Sequence, residues 1–270
     1  MQLNHAVIAV TALSRRELTK FLQQKGRLFS AFVRPGLWLF VFAVGFRGVY
    51  GVDAGDPYLQ QNVPYEYYIL PGLTCMVLLF SGMQSSLSMV YDREMGVMRL
   101  LLTAPMPRWY LLFAKVVAAA FLSMLQAYTF LVICLIFGVW LPWQAWFYML
   151  PAMFAGAVML GSVGLLLSVY VKQLENFAGI MNFVIFPMFF LSSALYPLWK
   201  MKESSQLLYQ ICVVNPFTHA VEMIRFALYG QFNAGSALYV VVVLALFLGA
   251  AVYAYTPARG MTARRGGSGS

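Results

Sequence analysis

The run VVVVLALFLGAAVYA, residues 240–254, contains no charged, amide or proline side chain. A bilayer core of roughly 30 Å needs about 20 apolar residues in a helix that rises about 1.5 Å per residue, and this run with its flanks meets that length. It lacks the alternation of apolar and polar residues found in membrane-spanning β-strands. Because lipid cannot hydrogen-bond an exposed backbone, such a segment must be helical. The run therefore predicts a transmembrane helix.

Five other stretches have the same character, so the sequence predicts an all-α polytopic membrane protein with six transmembrane helices. The predicted spans are residues 35–52, 68–90, 116–139, 147–169, 177–199 and 237–255. The composition agrees, because only 10% of residues are charged, whereas soluble domains have about 25%. In the first span Arg34 and Arg47 lie near the ends, from where long arginine side chains reach the interfaces.

The basic residues are unevenly distributed between the loops. If the amino terminus is inside, fourteen Lys and Arg residues lie in inner segments and four in outer segments. Positive charge concentrates on the cytoplasmic side of membrane proteins, and an even number of spans returns the chain to that side. Both termini are therefore expected to be cytoplasmic. The net charge of +9 is then explained by topology, and nucleic acid is not expected as a partner.

Three regions follow from this pattern. They are an amphipathic interface helix at 1–32, a six-span membrane domain at 33–258 and a cytoplasmic tail or linker at 259–270. In the first region apolar residues such as Phe21 recur at helical spacing, while Arg16 and Lys20 lie on the other face. Such a helix lies in the headgroup layer, with its cations near anionic lipids. It either only sets the topology or also carries force along the inner surface.

The loop YDREMGVMRLLLTAPMP, residues 91–107, stands out between the second and third spans. Asp92 and Glu94 are predicted to begin a short helix, since acidic residues suit the amino-terminal end of the helix dipole. Apolar residues follow at helical spacing, namely Met95, Met98, Leu101 and Leu102. An exposed helix of this kind either docks into a groove of another protein or dips into lipid.

Small residues recur in the fourth span at spacings of four, three and four. They are Ala157, Gly161, Gly164 and Ser168. Such a stripe lets helices approach closely in lipid, and this packing role is the expected one for Gly161 and Gly164. A path for substrate is the other interpretation.

The region after the fifth span is amphipathic. Pro197 marks the outer end of that span, and Asn215 with Pro216 begins a helical run. Glu222 and Arg225 lie three residues apart on this run, close enough to pair. The charges argue against a seventh span and favour helices that lie outside or partly re-enter the outer leaflet.

No catalytic or metal site is predicted. No glycine is followed by lysine, which excludes the phosphate-binding loop of nucleotide hydrolases, and the only histidines are His5 and His219. A lipid-modifying membrane enzyme would have to depend on the region around His219. An ATP-independent channel or secondary carrier is the alternative transport function, and it would favour charged groups deep in the spans.

Three blocks together resemble the type-2 ABC exporter permeases. They are DREMG at 92–96 continuing to LTAP at 102–105, GLLLS at 164–168, and FFLSSALYP at 189–197 followed by NPFTHAVEMIR at 215–225. Where the family often has glycine after Leu-Ser, this chain has Ser193. The order of the blocks relative to the spans also matches, so the resemblance covers nearly the whole chain.

The resemblance implies a permease of the bacterial inner membrane that exports an amphipathic, lipid-like or glycan substrate by alternating access. Two copies would pair and dock onto two ATP-binding cassette ATPase subunits, which would carry ATP and Mg, while this chain would bind no cofactor. A coupling helix seated in the ATPase would comprise Asp92, Arg93, Glu94, Met95, Gly96, Met98, Leu101 and Leu102. The first region, with Arg16, Lys20 and Phe21, would be the connecting helix. The re-entrant helices at the exit would include Pro197, Asn215, Pro216, Glu222 and Arg225.

Overall fold

The regular structure is almost entirely helical. The computed structural model describes residues 3–23, 33, 35–41, 54–56, 61–95, 107–171 and 173–254. The helices are α1 (Leu3–Gln23), α2 (Tyr65–Glu94), α3 (Arg108–Ile136), α4 (Trp143–Tyr170), α5 (Leu174–Phe190), α6 (Leu198–Ser204), α7 (Gln206–Val214), α8 (Pro216–Leu228) and α9 (Ala234–Ala254). Residues 35–41 are also helical. Two short strands, β1 (Ala54–Asp56) and β2 (Gln61–Val63), pair antiparallel before α2.

Four of the described helices are long and apolar enough to cross a membrane, namely α2, α3, α4 and α9. The pair α7 and α8, bent by 76°, makes a fifth if it is counted as one span. The apolar helix α5 has 17 residues, which is at the lower limit for a bilayer core of roughly 30 Å. Most of the predicted first span, residues 42–52, lies outside the described part. The chain is thus a multi-pass helical protein, and the count of six remains a prediction.

The predicted fifth span, 177–199, is too long at its carboxyl end, because α5 stops at Phe190. Residues 191–197 form turns, and we call them the break. The Ser192 hydroxyl donates to the Phe189 carbonyl at 2.5 Å and accepts from the Ala194 N–H at 3.2 Å. It thereby occupies backbone groups that a continuing helix would pair.

The predicted helix start at Asp92 is also wrong. Helix α2 continues without interruption from Tyr65 to Glu94, so Asp92 and Glu94 lie in its last turn. No glycine or proline interrupts the helix there, and the backbone of Met95 closes it at φ −77° and ψ −2°. Acidic residues are unfavourable at this end of the helix dipole. Cationic partners from other helices compensate for that cost.

Helix α2 lies at the centre of the bundle and contacts α3, α4, α5 and α8. The small-residue stripe of α4 faces it. A Cβ atom built at Gly82 would lie 3.1 Å from the Cα of Gly161, and one built at Gly164 would lie 2.6 Å from the Ser86 hydroxyl. Small residues on both helices therefore allow their close approach in a membrane.

Candidate coupling site

Asp92, in the last turn of α2, joins three helices. The residue is buried, with 1% of its surface exposed. Its Oδ2 accepts a hydrogen bond from Nζ of Lys115 in α3 at 3.0 Å, and its Oδ1 accepts one from Nη2 of Arg16 in α1 at 2.8 Å. One carboxylate thus links α1, α2 and α3.

The ion pair between Asp92 and Lys115 is buried, unlike a surface salt bridge. The side chains of Lys115 and Asp92 are only 7% and 2% exposed. Glu17 of α1 is also buried, and its Oε1 has no hydrogen-bond partner among the described residues. A buried charge is costly unless it is paired, so Lys115 and Asp92 depend on each other.

The next two residues, Arg93 and Glu94, hold the turn between α4 and α5. The Arg93 guanidinium donates to the carbonyl oxygen of Val169 at 3.5 Å and to that of Val171. Oε1 of Glu94 accepts from the backbone N–H of Leu174 at 2.9 Å. A cation therefore lies at the carboxyl end of α4 and an anion at the amino end of α5, the signs that suit both helix dipoles.

We call residues Asp92, Arg93 and Glu94 the hub. Within one helical turn, these consecutive side chains contact α1, α3 and the α4–α5 turn. A displacement of this end of α2 would be passed to all of these elements at once. The sequence predicted all three as coupling residues, but it did not predict these contacts with other helices.

The other predicted coupling residues are only partly described. Met95 follows the hub directly and is 62% exposed. The remaining four lie outside the described residues: Gly96, Met98, Leu101 and Leu102. In the predicted connecting helix, Arg16 binds Asp92 and Phe21 is buried, on a helix that packs against α3. Lys20 lies on the same helix, and its side chain is outside the described part.

A second polar cluster lies near the other end of α2. Tyr68 and Asp92 are 24 residues apart on this helix, or about 36 Å. Arg225 of α8 donates to Oε1 of Glu222 at 2.5 Å and to the carbonyl oxygen of Ser193 at 2.7 Å. Its guanidinium lies 4.1 Å from the ring centroid of Tyr68, whose hydroxyl also donates to Ser193. These four residues are the Arg225 cluster, and they contain the pair of charges three residues apart that the sequence predicted.

Asn215 connects α8 to the end of α5. Its Oδ1 accepts from the Phe217 N–H at 3.0 Å, which caps α8. Its Nδ2 donates to the carbonyl oxygens of Met188 at 2.7 Å and Leu191 at 2.6 Å. Pro216 takes the first helical position, where its missing N–H costs nothing. Asn215 thus satisfies carbonyls that the end of α5 leaves unpaired.

Most of the described residues lie in a region that matches a known protein family. Residues 8–229 match the family of ABC-2 type transporters. The chain belongs to this family. As an ABC-2 permease it is a transmembrane subunit of an ABC transporter, and such subunits partner with an ABC ATPase. The family resemblance inferred from the three sequence blocks is therefore confirmed.

The individual relatives of this chain are also named as permeases. The chain is 27% identical over 213 residues to ycf38 of Cyanophora paradoxa, named as a transport permease, covering 76% of this chain and 70% of the relative. It is 28% identical over 223 residues to ycf38 of Porphyra purpurea, covering 80% and 72%. It is 27% identical over 202 residues to YbhR of Escherichia coli K12, named as a multidrug ABC transporter permease, covering 72% of this chain and 53% of YbhR. The chain thus spans about half the length of YbhR. The hub and the Arg225 cluster both lie within the ABC-2 region.

Proposed function

We propose that this chain is the membrane-spanning half of an ATP-driven exporter. Two copies form the path, and two separate ATP-binding cassette subunits supply the energy for alternating access. ATP and Mg bind to those partner subunits, and this chain has no ATPase site of its own. The cargo is amphipathic, lipid-like or a glycan and moves outward.

The hub is the observation that carries this proposal. A partner that binds the chain at and beyond the end of α2, within Asp92 to Leu102, moves a helix end that is tied to α1, α3 and the α4–α5 turn. The Asp92–Lys115 pair is shielded from solvent, and hydrogen bonds to charged groups are stronger than those between neutral groups. The hub is therefore stiff enough to pass a displacement into the membrane domain instead of absorbing it.

The proposed topology has six spans, with residues 35–52 as the first and α5 as the fifth. Both termini and the hub then face the cytoplasm, where ATP is available, in keeping with the distribution of basic residues. The membrane is the bacterial inner membrane. Helices α6 to α8 form a re-entrant region on the opposite side, where the following residues hold the exit closed: Pro197, Asn215, Pro216, Glu222 and Arg225.

The proposed cargo class has two supports. Aromatic residues make up 16% of the chain, and amphipathic guests bind well to aromatic surfaces. The relative YbhR is named as a multidrug permease, and drugs of this kind are commonly amphipathic. If the cargo were a small ion, charged groups would be needed along the path. Such groups would favour the alternative function, a channel or a secondary carrier.

Affinity purification from the native membrane in a mild detergent tests the partnership. We expect an ABC ATPase to co-purify in equal copy number. Met95→Asp should reduce its recovery about tenfold or more, because a charge at an exposed methionine disrupts an apolar docking contact with little cost to folding. Trp143→Asp is the matched control, since Trp143 is 70% exposed at the start of α4, on the side away from the proposed partner. Equal loss in both variants, or no ATPase with the unmodified chain, contradicts the proposal.

A further inference from the structure

Resting on the function proposed above, we infer that Arg93 and Glu94 are positioning residues that carry the movement of the hub into α5. They do so by holding the α4–α5 turn, so that α5 tilts whenever the end of α2 is displaced.

The turn is short, and the hub supplies hydrogen bonds on both sides of it. Helix α4 ends at Tyr170 and α5 begins at Leu174. The residue at the N-cap of α5, Gln173, makes no capping hydrogen bond with its side chain. Glu94 accepts from the Leu174 N–H, one of the amides that no helix can satisfy internally. A carboxylate on another helix thus acts as the cap of α5.

Helix α5 packs against the bundle along one face, and its internal proline, Pro187, lies only in its last turn. Only one narrow stripe of it is buried, at Phe177, Met181, Ile185 and Phe189. The opposite face is exposed and includes Asn182 and Phe183. Glu94 holds one end of this helix and Asn215 the other, 2.7 Å from the Met188 carbonyl oxygen. A helix that is held at both ends and packed along one line transmits a push at its first residue without rebuilding a large interface.

The charges of Arg93 and Glu94 have the signs that suit the helix ends they contact. Arg93 bonds to the last carbonyls of α4, and Glu94 bonds to the first amide of α5. Charge-assisted hydrogen bonds to helix ends are stronger than those between neutral groups. These bonds therefore link the turn to the hub.

Leu174→Pro separates this role from every other role of Glu94. Proline removes the N–H that Glu94 binds and leaves Glu94 unchanged. It fits the first position of a helix, because its φ near −65° is already helical. The preceding Gln173 has φ −104° and ψ 134°, the extended conformation that a residue before proline prefers. Leu174→Ala is the matched control, because it removes the same side chain and keeps the N–H.

The readout is a fluorescent label on α5 in the intact complex with its ATPase, reconstituted in nanodiscs. Phe183→Cys provides the attachment site, since Phe183 is 79% exposed. The native cysteines Cys75, Cys134 and Cys212 are buried and react slowly. Emission is compared between the nucleotide-free complex and the complex trapped with ATP and vanadate.

We expect the label to respond in the unmodified complex and in Leu174→Ala. In Leu174→Pro the response should fall about threefold or more, because the hydrogen bond from the Leu174 N–H to the Glu94 carboxylate is lost. Glu94→Ala should behave in the same way, whereas Glu94→Gln, which keeps an acceptor oxygen but loses the charge, should retain most of the response. ATPase content and ATP hydrolysis should be equal in Leu174→Pro and Leu174→Ala.

Two results overturn the inference. One is a Leu174→Pro complex that responds as Leu174→Ala does, and the other is an unmodified complex that hydrolyses ATP while its label on α5 does not respond. If Leu174→Pro does not assemble, Glu94→Ala compared with Glu94→Gln decides the matter, and equal responses from these two overturn the inference. A preparation that contains no ATPase contradicts the proposed function instead.

Discussion

Asp92→Ala should lower the free energy of unfolding by about 3–5 kcal/mol, the cost of leaving a buried charge without its partner. Lys115 is the charge left behind, because its side chain is 7% exposed and its Nζ lies 3.0 Å from Asp92. Arg16 is 32% exposed and can turn to solvent, so it contributes less. The variant should also lose the link between α1 and α3, since one carboxylate makes both contacts.

The matched control removes both charges of the buried pair. Asp92→Ala combined with Lys115→Met should recover most of the lost stability, because apolar replacement of a buried ion pair is often neutral or stabilising. Thermal unfolding followed with a thiol-reactive dye measures this directly, since Cys75, Cys134 and Cys212 are buried until the protein unfolds. A single variant as stable as the unmodified protein, or a double variant as unstable as the single one, contradicts the role of the pair.

Arg225→Ala should have a comparable effect at the opposite end of α2, again about 3–5 kcal/mol. Glu222 would remain buried without its cation, and the Ser193 carbonyl oxygen in the break would lose one of its donors. The break cannot readily shift to compensate, because a Cβ built at Gly72 of α2 would already lie 2.7 Å from the backbone of Ala194. We expect the break to separate from α8 before the rest of the bundle unfolds.

Arg225→Lys should not restore stability. The guanidinium bonds to Glu222 and Ser193 at the same time while it lies over the Tyr68 ring, and a single ammonium group cannot reproduce these contacts. Lys202→Ala, which removes an exposed cation of α6, is the control and should change stability by less than about 0.5 kcal/mol. The dye assay used for Asp92 measures all three variants, and full stability of Arg225→Lys is the outcome that counts against this geometry.

Local patterns in the sequence predicted what local physics decides. Long apolar runs gave the positions of α2, α3, α4 and α9, because membrane helices must satisfy their own backbone. The capping preference of asparagine and the fixed φ of proline gave the start of α8 at Asn215 and Pro216. The pairing of Glu222 with Arg225 followed from their spacing on one helical face.

Local sequence patterns could not predict contacts between residues that are far apart in the chain. Asp92 binds residues 76 positions before it and 23 positions after it, and helical periodicity says nothing about either. The same contacts explain why the predicted helix start at Asp92 was wrong: cations from α1 and α3 compensate for an acidic residue at the unfavourable end of the helix dipole. The early end of α5 likewise depends on hydrogen bonds from Ser192 and Asn215 that replace helical ones.

The central claim is that a separate ATPase imposes the motion of this chain. Proteoliposomes containing the purified chain, with or without the co-purified ATPase, test it most directly, with a fluorescent phospholipid as the transported probe. ATP-dependent movement of the probe is expected only when both subunits are present, and an ATPase unable to hydrolyse ATP should abolish it. Equal movement by the purified chain alone, without ATP, would contradict the mechanism.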